Sequence, residues 1–507
     1  MEYLKKLFVP DGRYRKFMWI LSALCSLYVL PIILSGTYYE DDQSRILYGS
    51  TGWTADGRPL MELVNKFIHF GRPITDISPF TLLAGIIVFA YVSSLLMSRR
   101  LKEEKTGIIS IFCFYLIMAN PFMLPDIALK FDSFAMLLSL SLCIFGFCFR
   151  ESDFEEMIPG FGKLPYVVFN LIITLMIFCT FQPVIGAFFA AVFVESLFTL
   201  KKKEFSLADE IERLCGLIAG TLIYLMIIAP LTVDKEGWRA GASKLSFSTG
   251  GVLKNATEKF GIYFSIIRRY ISGVPKTVIL AFIILFALGV ICTVVSYKAG
   301  SNPEKIIIAA MEVLVIPFCV ILLILPMSFL NGNKINDHML ISMGIIGFVL
   351  GIMLFEVPER LRIIVRLCCI VVMFFTLTYS ATFGNALKAQ REYEGHIMGD
   401  IVHDMNELNY DNSYKSFTIA GEVDMSPVLE NAGKKYPQMD EIVPRYIYDD
   451  SWLGAAGILR LYGTDISYVD CTDEDLKNLK KVRPVVKNKK YDIYCIGERM
   501  IISFIKE

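Results

Sequence analysis

The chain has 507 residues, of which 54% are hydrophobic, and its mean hydropathy is +0.52. This composition excludes an ordinary soluble globule and indicates a polytopic α-helical membrane protein. Basic and acidic residues are equal in number, so the formal net charge is zero and no overall field attracts nucleic acid.

Long apolar runs predict about eleven transmembrane helices, with each edge placed to within about three residues. The first run follows a basic segment and is too long for a cleaved signal peptide, so we expect it to be retained. The predicted spans are 17–37, 77–97, 107–124, 131–149, 165–181, 183–200, 212–232, 274–297, 306–329, 339–355 and 361–380. An odd number of spans places the two termini on opposite sides of the membrane.

Lysine and arginine are about twice as dense on one side of the predicted spans as on the other, with Arg99, Arg100 and the run 201–203 as the clearest anchors. This asymmetry predicts a cytoplasmic N-terminus and an extracytoplasmic C-terminus. Residues 1–380 then form a transmembrane catalytic domain, whose long loops outside the cytoplasm are 38–76, 120–130 and 233–273.

Two segments outside the spans have recognisable patterns. Residues 59–70 predict an amphipathic helix lying in the membrane interface, with Leu60, Leu63 and Phe67 on its apolar face. The polar residues 381–507 predict a small extracytoplasmic α/β domain. Its predicted strands are 416–420, 466–469, 492–496 and 501–505, and its predicted helices are 383–408, 427–434, 450–462 and 473–481.

The loop after the first span contains three consecutive carboxylates, Glu40, Asp41 and Asp42, followed by Arg45. Like charges clustered beside hydrocarbon are costly unless the protein uses them, although a solvated acidic loop is the plainer interpretation. A carboxylate near a low-dielectric surface and a second carboxylate has a raised pKa and is a better general base. Since adjacent residues of an extended loop point opposite ways, we expect one of Asp41 and Asp42 to face a substrate. The sequence does not decide which one, and Asp41 is our first candidate.

Further candidates for substrate binding lie in or near the loops on the same side. Asp132 follows a proline-rich turn, where it can be the N-cap of a helix, part of the site or both, and Lys130 could neutralise a lipid phosphate. Arginine suits bidentate phosphate binding, although an arginine near a membrane can equally be an interfacial anchor. The full set of predicted substrate-binding residues is Glu40, Arg45, Trp53, Arg58, Lys130, Asp132, Gln182, Arg268 and Arg269.

Metal and disulfide chemistry leave weaker signals. The carboxylates could bind a divalent metal, but no Cys or His spacing indicates a metal site and nothing in the sequence requires a cofactor. Cys471 and Cys495 lie in the polar tail, where they could form a disulfide, although their spacing does not establish one.

Several short motifs resemble those of a known family. They are Asp41-Asp42-x-x-Arg45, Gly52-Trp53, Gly57-Arg58-Pro59-Leu60, Asn120-Pro121-Phe122, Lys130-Phe131-Asp132-Ser133, Phe181-Gln182-Pro183 and Gly384-Asn385-Ala386-Leu387. Together they resemble the glucosyl transferase II-like family of bacterial O-antigen-modifying enzymes, typified by phage-encoded members. The resemblance covers most of the chain in layout and is specific in roughly the first 135 residues. Many relatives have an aromatic-basic pair where this chain has Lys130-Phe131, which leaves the role of Lys130 open.

The resemblance implies a fold similar to the GT-C glycosyltransferases, in a bacterial cytoplasmic (inner) membrane, with the active site on the extracytoplasmic face. It implies inverting transfer of a hexose, with glucose expected, from undecaprenyl-phosphate-glucose to a lipid-linked or surface glycan. A donor synthase and a flippase are the implied partners. Elementary chemistry agrees, because nucleotide sugars are absent outside the cytoplasm and a lipid phosphate is a fair leaving group that Arg or Lys can hold.

Other functions remain open at this point. A flippase or transporter for a lipid-linked sugar would favour ionisable residues deep in the spans and repeated halves, and the sequence has few of the former and no sign of the latter. An O-antigen polymerase or ligase would use a large mid-chain outer loop, which 233–273 could supply. Nothing in the sequence favours a non-catalytic scaffold.

Overall fold

A computed structural model describes residues 8–101, 107–235, 249–296, 302–328, 337–449, 451–463, 465–479 and 481–505. The helices of the first part are α1 Gly12–Ser35, α2 Asp42–Tyr48, α3 Pro59–Ile68, α4 Phe80–Leu96, α5 Ile108–Met118, α6 Leu124–Ala128, α7 Ser133–Gly146, α8 Glu151–Met157, α9 Lys163–Thr180, α10 Ile185–Lys201, α11 Leu207–Ile223 and α12 Ala229–Thr232. The remaining helices are α13 Thr249–Ser272, α14 Lys276–Ser296, α15 Asn302–Ser328, α16 Ile345–Met353, α17 Arg362–Leu408, α18 Pro427–Lys435, α19 Met439–Ile442, α20 Trp452–Tyr462 and α21 Asp473–Leu479.

Shorter 3-10 or π-helical segments extend or connect these helices. They are Met97–Leu101, Pro121–Met123, Gln182–Val184, Tyr224–Ile228, Asp337–Gly344, Leu354–Glu356 and Glu359–Leu361. The strands are β1 Ser416–Ala420, β2 Ser467–Tyr468, β3 Val486–Lys487, β4 Asp492–Ile496 and β5 Arg499–Ser503.

The protein is a helical membrane protein. Among the described residues, eight helices are long and apolar enough to span a bilayer, and the number reaches eleven if each of three sharply bent helix pairs is one span. The predicted number of eleven therefore corresponds to counting every bent pair as a span. The number of crossings and the side that each loop faces stay predictions.

The third predicted span is not one straight helix. The prediction of a continuous helix over 107–124 is wrong, because α5 ends at Met118 and the following helical segment Pro121–Ala128 is bent from it by 43°. Asn120 precedes a proline, which disfavours the helical conformation, and its φ of −121° and ψ of 156° are extended. Its side-chain oxygen accepts a hydrogen bond from Phe122 N at 3.1 Å and starts the next segment. A predicted outer turn is therefore a buried helical corner.

One long helix joins the membrane part to the tail. The predicted span 361–380 and the predicted helix 383–408 are a single 47-residue helix, α17, so the expected boundary after residue 380 falls inside it. At 1.5 Å per residue this helix is about 70 Å long, whereas a bilayer core is about 30 Å thick. Gly384 lies at its crossing with α1, where a Cβ atom would stand 2.5 Å from the carbonyl carbon of Pro31. Close packing of these two helices therefore needs a glycine.

The tail contains one five-stranded mixed sheet in the order β2-β1-β5-β4-β3. β1 runs parallel to β2 and β5, while β4 is antiparallel to β5 and β3. The predicted strands 416–420 and 492–496 are confirmed, but the last strand begins two residues earlier than predicted because a turn at Gly497, with φ of +58°, pairs Ile496 with Arg499. Ile397, Ile401 and Met405 of α17 pack against this sheet as the sequence stripe predicts.

The helix α3 is amphipathic, as predicted. Its apolar face is exposed and its polar face is buried, which is the reverse of a helix in a soluble protein. Leu63 and Phe67 are 63% and 80% exposed, whereas Glu62 and Asn65 on its polar face are buried. An apolar face directed outward suits a helix that lies in the interfacial layer of a membrane.

Two other predictions concern segments of the tail and of the loop 233–273. Residues 249–272 of that loop form α13, and residues 236–248 lie outside the described part. Cys471 and Cys495 are both free thiols.

Candidate active site

Asp42 is buried, and its carboxylate links the first loop to the corner before α7 by hydrogen bonds. Its carboxylate accepts hydrogen bonds from Lys130 N at 2.7 Å, Phe131 N at 3.4 Å and Tyr39 N at 3.3 Å. Burial, with the charge of Asp132, raises the pKa of Asp42 to about 8, although the backbone donors and Arg45 act in the opposite direction. Asp42 therefore fixes the loop and has no surface to offer a substrate.

Asp41 occupies the opposite position. Its side chain is 46% exposed, and its Oδ2 lies 3.4 Å from Arg45 Nη2 within one turn of α2. The preceding residue, Glu40, is half-buried with a φ of +41°, a left-handed conformation that turns the chain sharply into α2. The two adjacent carboxylates thus point to different sides of the loop, one to the protein and one to solvent.

Arg45, Trp53 and Asp132 form one buried unit beneath Asp41. The Arg45 guanidinium lies over the Trp53 ring, 4.2 Å from its centroid, and Arg45 Nε is 3.4 Å from Asp132 Oδ2. Trp53 Nε1 donates to Asp132 Oδ1 at 2.7 Å. Asp132 occupies the N-cap position of α7, as one interpretation predicted, but its side chain makes no cap hydrogen bond and instead contacts Trp53 and Arg45. This stacked unit fixes the Arg45 guanidinium next to Asp41.

Arg58 and Gln182 form a second, neighbouring unit. Arg58 Nε donates to Gln182 Oε1 at 2.9 Å, and the guanidinium lies over the Phe181 ring at 4.9 Å. Gln182 Nε2 in turn donates to Tyr224 Oη at 3.0 Å. Gly57, with φ of +75°, makes the tight turn, since a Cβ there would lie 2.6 Å from the Tyr224 hydroxyl oxygen. Arg58 is therefore held against the bundle rather than extended into the membrane interface.

Lys130 faces the first loop. Its ammonium group donates to Asp76 Oδ2 at 2.8 Å and lies over the Tyr38 ring, 4.0 Å from the centroid. Burial acts to raise the pKa of Asp76, but the hydrogen bonds from Lys130 and Ser78 N hold it below its ordinary value. Lys130 is thus a fixed cation at the edge of the cluster, paired with a carboxylate that the sequence did not single out.

Arg268 and Arg269 are not brought into this cluster by any described contact. Arg268 is exposed on α13, and Arg269 Nη1 pairs with Glu441 Oε1 of the tail at 2.6 Å. Arg269 therefore links α13 to the tail domain.

The tail domain holds the acidic loop directly, which the sequence did not predict in detail. Tyr446 Oη donates to Tyr38 O at 2.9 Å and accepts from Glu40 N at 3.2 Å. Tyr39 Oη donates to Ile442 O at 2.7 Å. We call these contacts the tail clamp. They hold the segment from Tyr38 to Glu40, which leads into Asp41, from outside the membrane part.

Three further contacts of the first-loop region were not foreseen. Arg460 Nη1 donates to Gln43 Oε1 at 3.0 Å, and the rings of Tyr48 and Trp452 stack with centroids 6.2 Å apart. Glu62 on the polar face of α3 accepts from Thr54 N at 2.9 Å. The sequence signal for Glu62 was its place on a polar helix face. The contacts of Arg460 and Trp452 join residues hundreds of positions apart, and no local pattern reveals them.

Asp126 was also missed. It lies in α6, it is fully buried, and no described protein group donates a hydrogen bond to either of its carboxylate oxygens. An ionisable residue in an apolar segment next to Pro125 was the available signal.

No metal site is built from these carboxylates. In the part of the chain that the structure describes, no three His, Cys, Asp or Glu side chains are arranged to hold an ion. Asp42 and Asp132 already spend their oxygens on backbone, Trp53 and Arg45. The described carboxylates of this cluster therefore do not form a ligand set that fits a divalent metal.

A small, partly open cavity of about 60 Å³ lies elsewhere, beside the far ends of α4 and α10. It is lined mainly by apolar residues such as Leu96 and Phe147, and its charged groups, Arg100 and Glu195, pair with each other. None of the predicted site residues lines it, so this cavity and the polar cluster are different places in the molecule. The polar cluster at the first loop is the better candidate for a reaction because its side chains can act on a proton or a phosphate.

These features define a class of protein. It is a polytopic helical membrane protein with a carboxylate-rich cluster at one end of its bundle, and a small sheet domain contacts the loop of that cluster. The chain belongs to the glucosyl transferase GtrII family, whose profile matches residues 30–333, more than half of the sequence. The resemblance seen in the sequence is thereby confirmed.

The chain is also similar to an uncharacterised 55.3 kDa protein encoded in the region 5′ of gtrB in Salmonella phage P22. The two are 25% identical over 495 residues, which cover 97% of this chain and 98% of the phage protein. No solved structure matches the chain. Family membership supports a membrane glucosyltransferase and, through the family, a role in O-antigen modification.

Proposed function

We propose that the protein transfers glucose from a polyprenyl-phosphate-glucose donor, such as the undecaprenyl lipid, to a lipid-linked or surface glycan. The reaction takes place at the extracytoplasmic face of a bacterial inner membrane and inverts the configuration at C1. The observation that carries the proposal is the half-exposed Asp41 carboxylate on the rigid Arg45–Trp53–Asp132 unit. Family membership supplies the class of reaction.

Asp41 acts as the general base. It removes the proton of an acceptor hydroxyl while that oxygen attacks C1 of the donor glucose, and the C1–O bond to phosphate breaks with its electron pair on the leaving polyprenyl phosphate. The proton ends on Asp41 and passes to water. Attack on the face opposite the leaving group produces the inversion.

Arg58 and Lys130 are the cations proposed to hold the departing phosphate. Both are already fixed over aromatic rings, so little ordering is needed when negative charge develops on the phosphate oxygen. Lys130 would exchange its partner Asp76 for that phosphate. The role of Arg45 is to support Asp41, because its guanidinium is buried between Trp53 and Asp132.

The lipid part of the donor and the acceptor glycan occupy different sides of the loop. The exposed Leu63 and Phe67 of α3 offer an apolar surface that suits a polyprenyl chain at the membrane interface. The tail domain covers the acidic loop from the other side and is proposed to guide the glycan. A donor synthase and a flippase would supply the donor outside the cytoplasm.

The test is glucose transfer in liposomes from polyprenyl-phosphate-glucose to a lipid-linked glycan by the full-length protein, its Asp41→Asn variant and a control. Asp41→Asn is expected to lower kcat by about 10²- to 10⁴-fold, the usual contribution of a general base, and to retain donor binding. Glu430→Gln is the control, since Glu430 forms an exposed i,i+4 pair with Lys434 in the tail domain.

Three outcomes would contradict the proposal. Undiminished transfer by Asp41→Asn would remove the base assignment. Movement of the donor across the bilayer without transfer would favour a flippase, and joining of whole glycan units would favour a polymerase or ligase.

A further inference from the structure

Asp126 is the one carboxylate near the first loop for which the described protein groups supply no hydrogen-bond donor. Asp42 is equally buried, but it accepts from three backbone N–H groups. Asp132 is buried as well, and it is held by Trp53 and Arg45. The contrast lies within one cluster, so burial in a membrane protein does not by itself explain Asp126.

An unpartnered carboxyl is a poor residue for this place on stability grounds. Its neighbours in α6 and the turn before it are apolar and buried, among them Met123, Leu124 and Ile127. A leucine there would avoid the cost of removing a carboxyl group from water without a hydrogen bond. Buried polar groups that destabilise a fold are found mainly at functional sites.

Asp126 belongs to the same corner of the chain as two residues of the candidate site. It lies in α6, four residues before Lys130 and six residues before Asp132. Arg58 is held in place by Gln182 and Phe181. A donor phosphate held by Arg58 and Lys130 would bring its sugar close to this corner.

We propose that Asp126 binds the transferred hexose, accepting hydrogen bonds from its hydroxyl groups next to the phosphate held by Arg58. A carboxylate offers two oxygens with four acceptor positions, which matches adjacent hydroxyl groups of a sugar. Asp126 is fully buried in this structure, so the proposal requires a local opening of the protein that admits the sugar. The inference rests on the proposed function and specifies the part of the donor that the site recognises.

The test combines stability and transfer in Asp126→Leu and Asp126→Asn. Asp126→Leu is expected to melt at the same temperature as the wild type or higher, and to lose about 10- to 100-fold in kcat/KM, as expected for hydrogen bonds to a charged group. Asp126→Asn, which keeps one acceptor oxygen, is expected to lose less. Thr418→Val is the matched control, because the hydroxyl of Thr418 is also buried without a partner but lies in the sheet of the tail.

Deoxyglucose donors add a measurement that a purely structural role cannot imitate. For the wild type, removing the hydroxyl group that Asp126 contacts should lower kcat/KM about as much as Asp126→Leu does with the normal donor. In Asp126→Leu the same removal should have almost no further effect, since the partner is already missing.

The inference is overturned if both Asp126 variants transfer glucose as well as the wild type, or if the effects of variant and deoxy donor simply multiply. A variant that fails to fold leaves the decision to Asp126→Asn, which is nearly isosteric. If the wild type transfers no glucose at all, the proposed function itself fails, and this result is distinct because it appears without any substitution.

Discussion

Both ends of the helix bundle contain buried charged side chains, but the two ends differ in how these charges are paired. At the end far from the first loop, Glu195 pairs with both Arg100 and Arg213, and Arg213 also lies 3.5 Å from Glu210. Lys201 pairs with Glu312 at 2.7 Å in the same region. Every carboxylate named there has a basic partner, and we call this set the far-end network.

At the first-loop end, by comparison, the carboxylates are not all paired with basic side chains. Asp42 depends on backbone donors, Asp41 keeps nearly half of its surface exposed, and Asp126 has no hydrogen-bond donor among the described groups. Buried charge alone therefore does not identify a functional site in a membrane protein. What distinguishes the first-loop cluster is that two of its carboxylates, Asp41 and Asp126, can still accept hydrogen bonds from a substrate.

The largest expected effect on stability belongs to the far-end network. Arg213→Met removes a buried guanidinium and leaves Glu195 and Glu210 short of a partner, so we expect a loss of about 3–5 kcal/mol in the free energy of unfolding. Thermal unfolding in detergent measures this loss. Transfer per folded molecule should be unchanged.

Arg366→Met is the matched control for that substitution. Arg366 pairs with Glu359 on the exposed surface, and such pairs contribute about 0–1 kcal/mol. Equal losses of stability in the two variants would contradict the structural role of the far-end network.

A pH dependence is expected at the first-loop end. Burial raises the pKa of Asp42 to about 8, so the folded state holds a proton that the unfolded state releases near its ordinary value of 3.8. Stability is therefore full below about pH 4 and falls as the pH rises towards 8, on the order of 2 kcal/mol between pH 5 and 7. Melting temperatures across this range should fall for the wild type and stay flatter for Asp42→Asn. A parallel slope in both proteins would show that Asp42 is not the responsible group.

A smaller effect is expected from the tail clamp. Tyr446→Phe removes the hydroxyl that accepts from Glu40 N and donates to Tyr38 O, which costs about 1–3 kcal/mol if these groups stay unpaired. Because the acidic loop loses its support, we expect kcat to fall about 10-fold with little change in KM. Steady-state transfer assays measure both constants.

Tyr410→Phe serves as the control, since Tyr410 is 85% exposed in the same part of the chain. If Tyr446→Phe weakens stability but leaves kcat intact, the clamp only attaches the tail and does not position the loop.

The sequence predicted the local features of this molecule well. Strands β1 and β4 follow from alternating apolar residues, and the family follows from motifs around Asp41, Trp53 and Arg58. The beginning of β5 was misplaced because the hairpin register is set by Gly497, and the corner at Asn120 was read as part of a continuous span.

The sequence could not reveal which charges have partners. Glu312 is buried and Glu195 is half-buried, and each forms ion pairs with basic residues from other helices. Tyr446 meets Glu40 across 406 residues, and the isolation of Asp126 is visible only once its surroundings are folded. Partners of this kind are set by tertiary packing, which no local pattern encodes.

The most direct test of the contrast between the two ends compares Asp41→Asn with Glu195→Gln, measuring melting temperature and glucose transfer for both. The account predicts opposite outcomes: Asp41→Asn keeps the wild-type melting temperature and loses transfer, whereas Glu195→Gln melts at a lower temperature and keeps transfer per folded molecule. If Asp41→Asn unfolds early and retains transfer, or Glu195→Gln is stable and inactive, the two ends have been assigned the wrong way round.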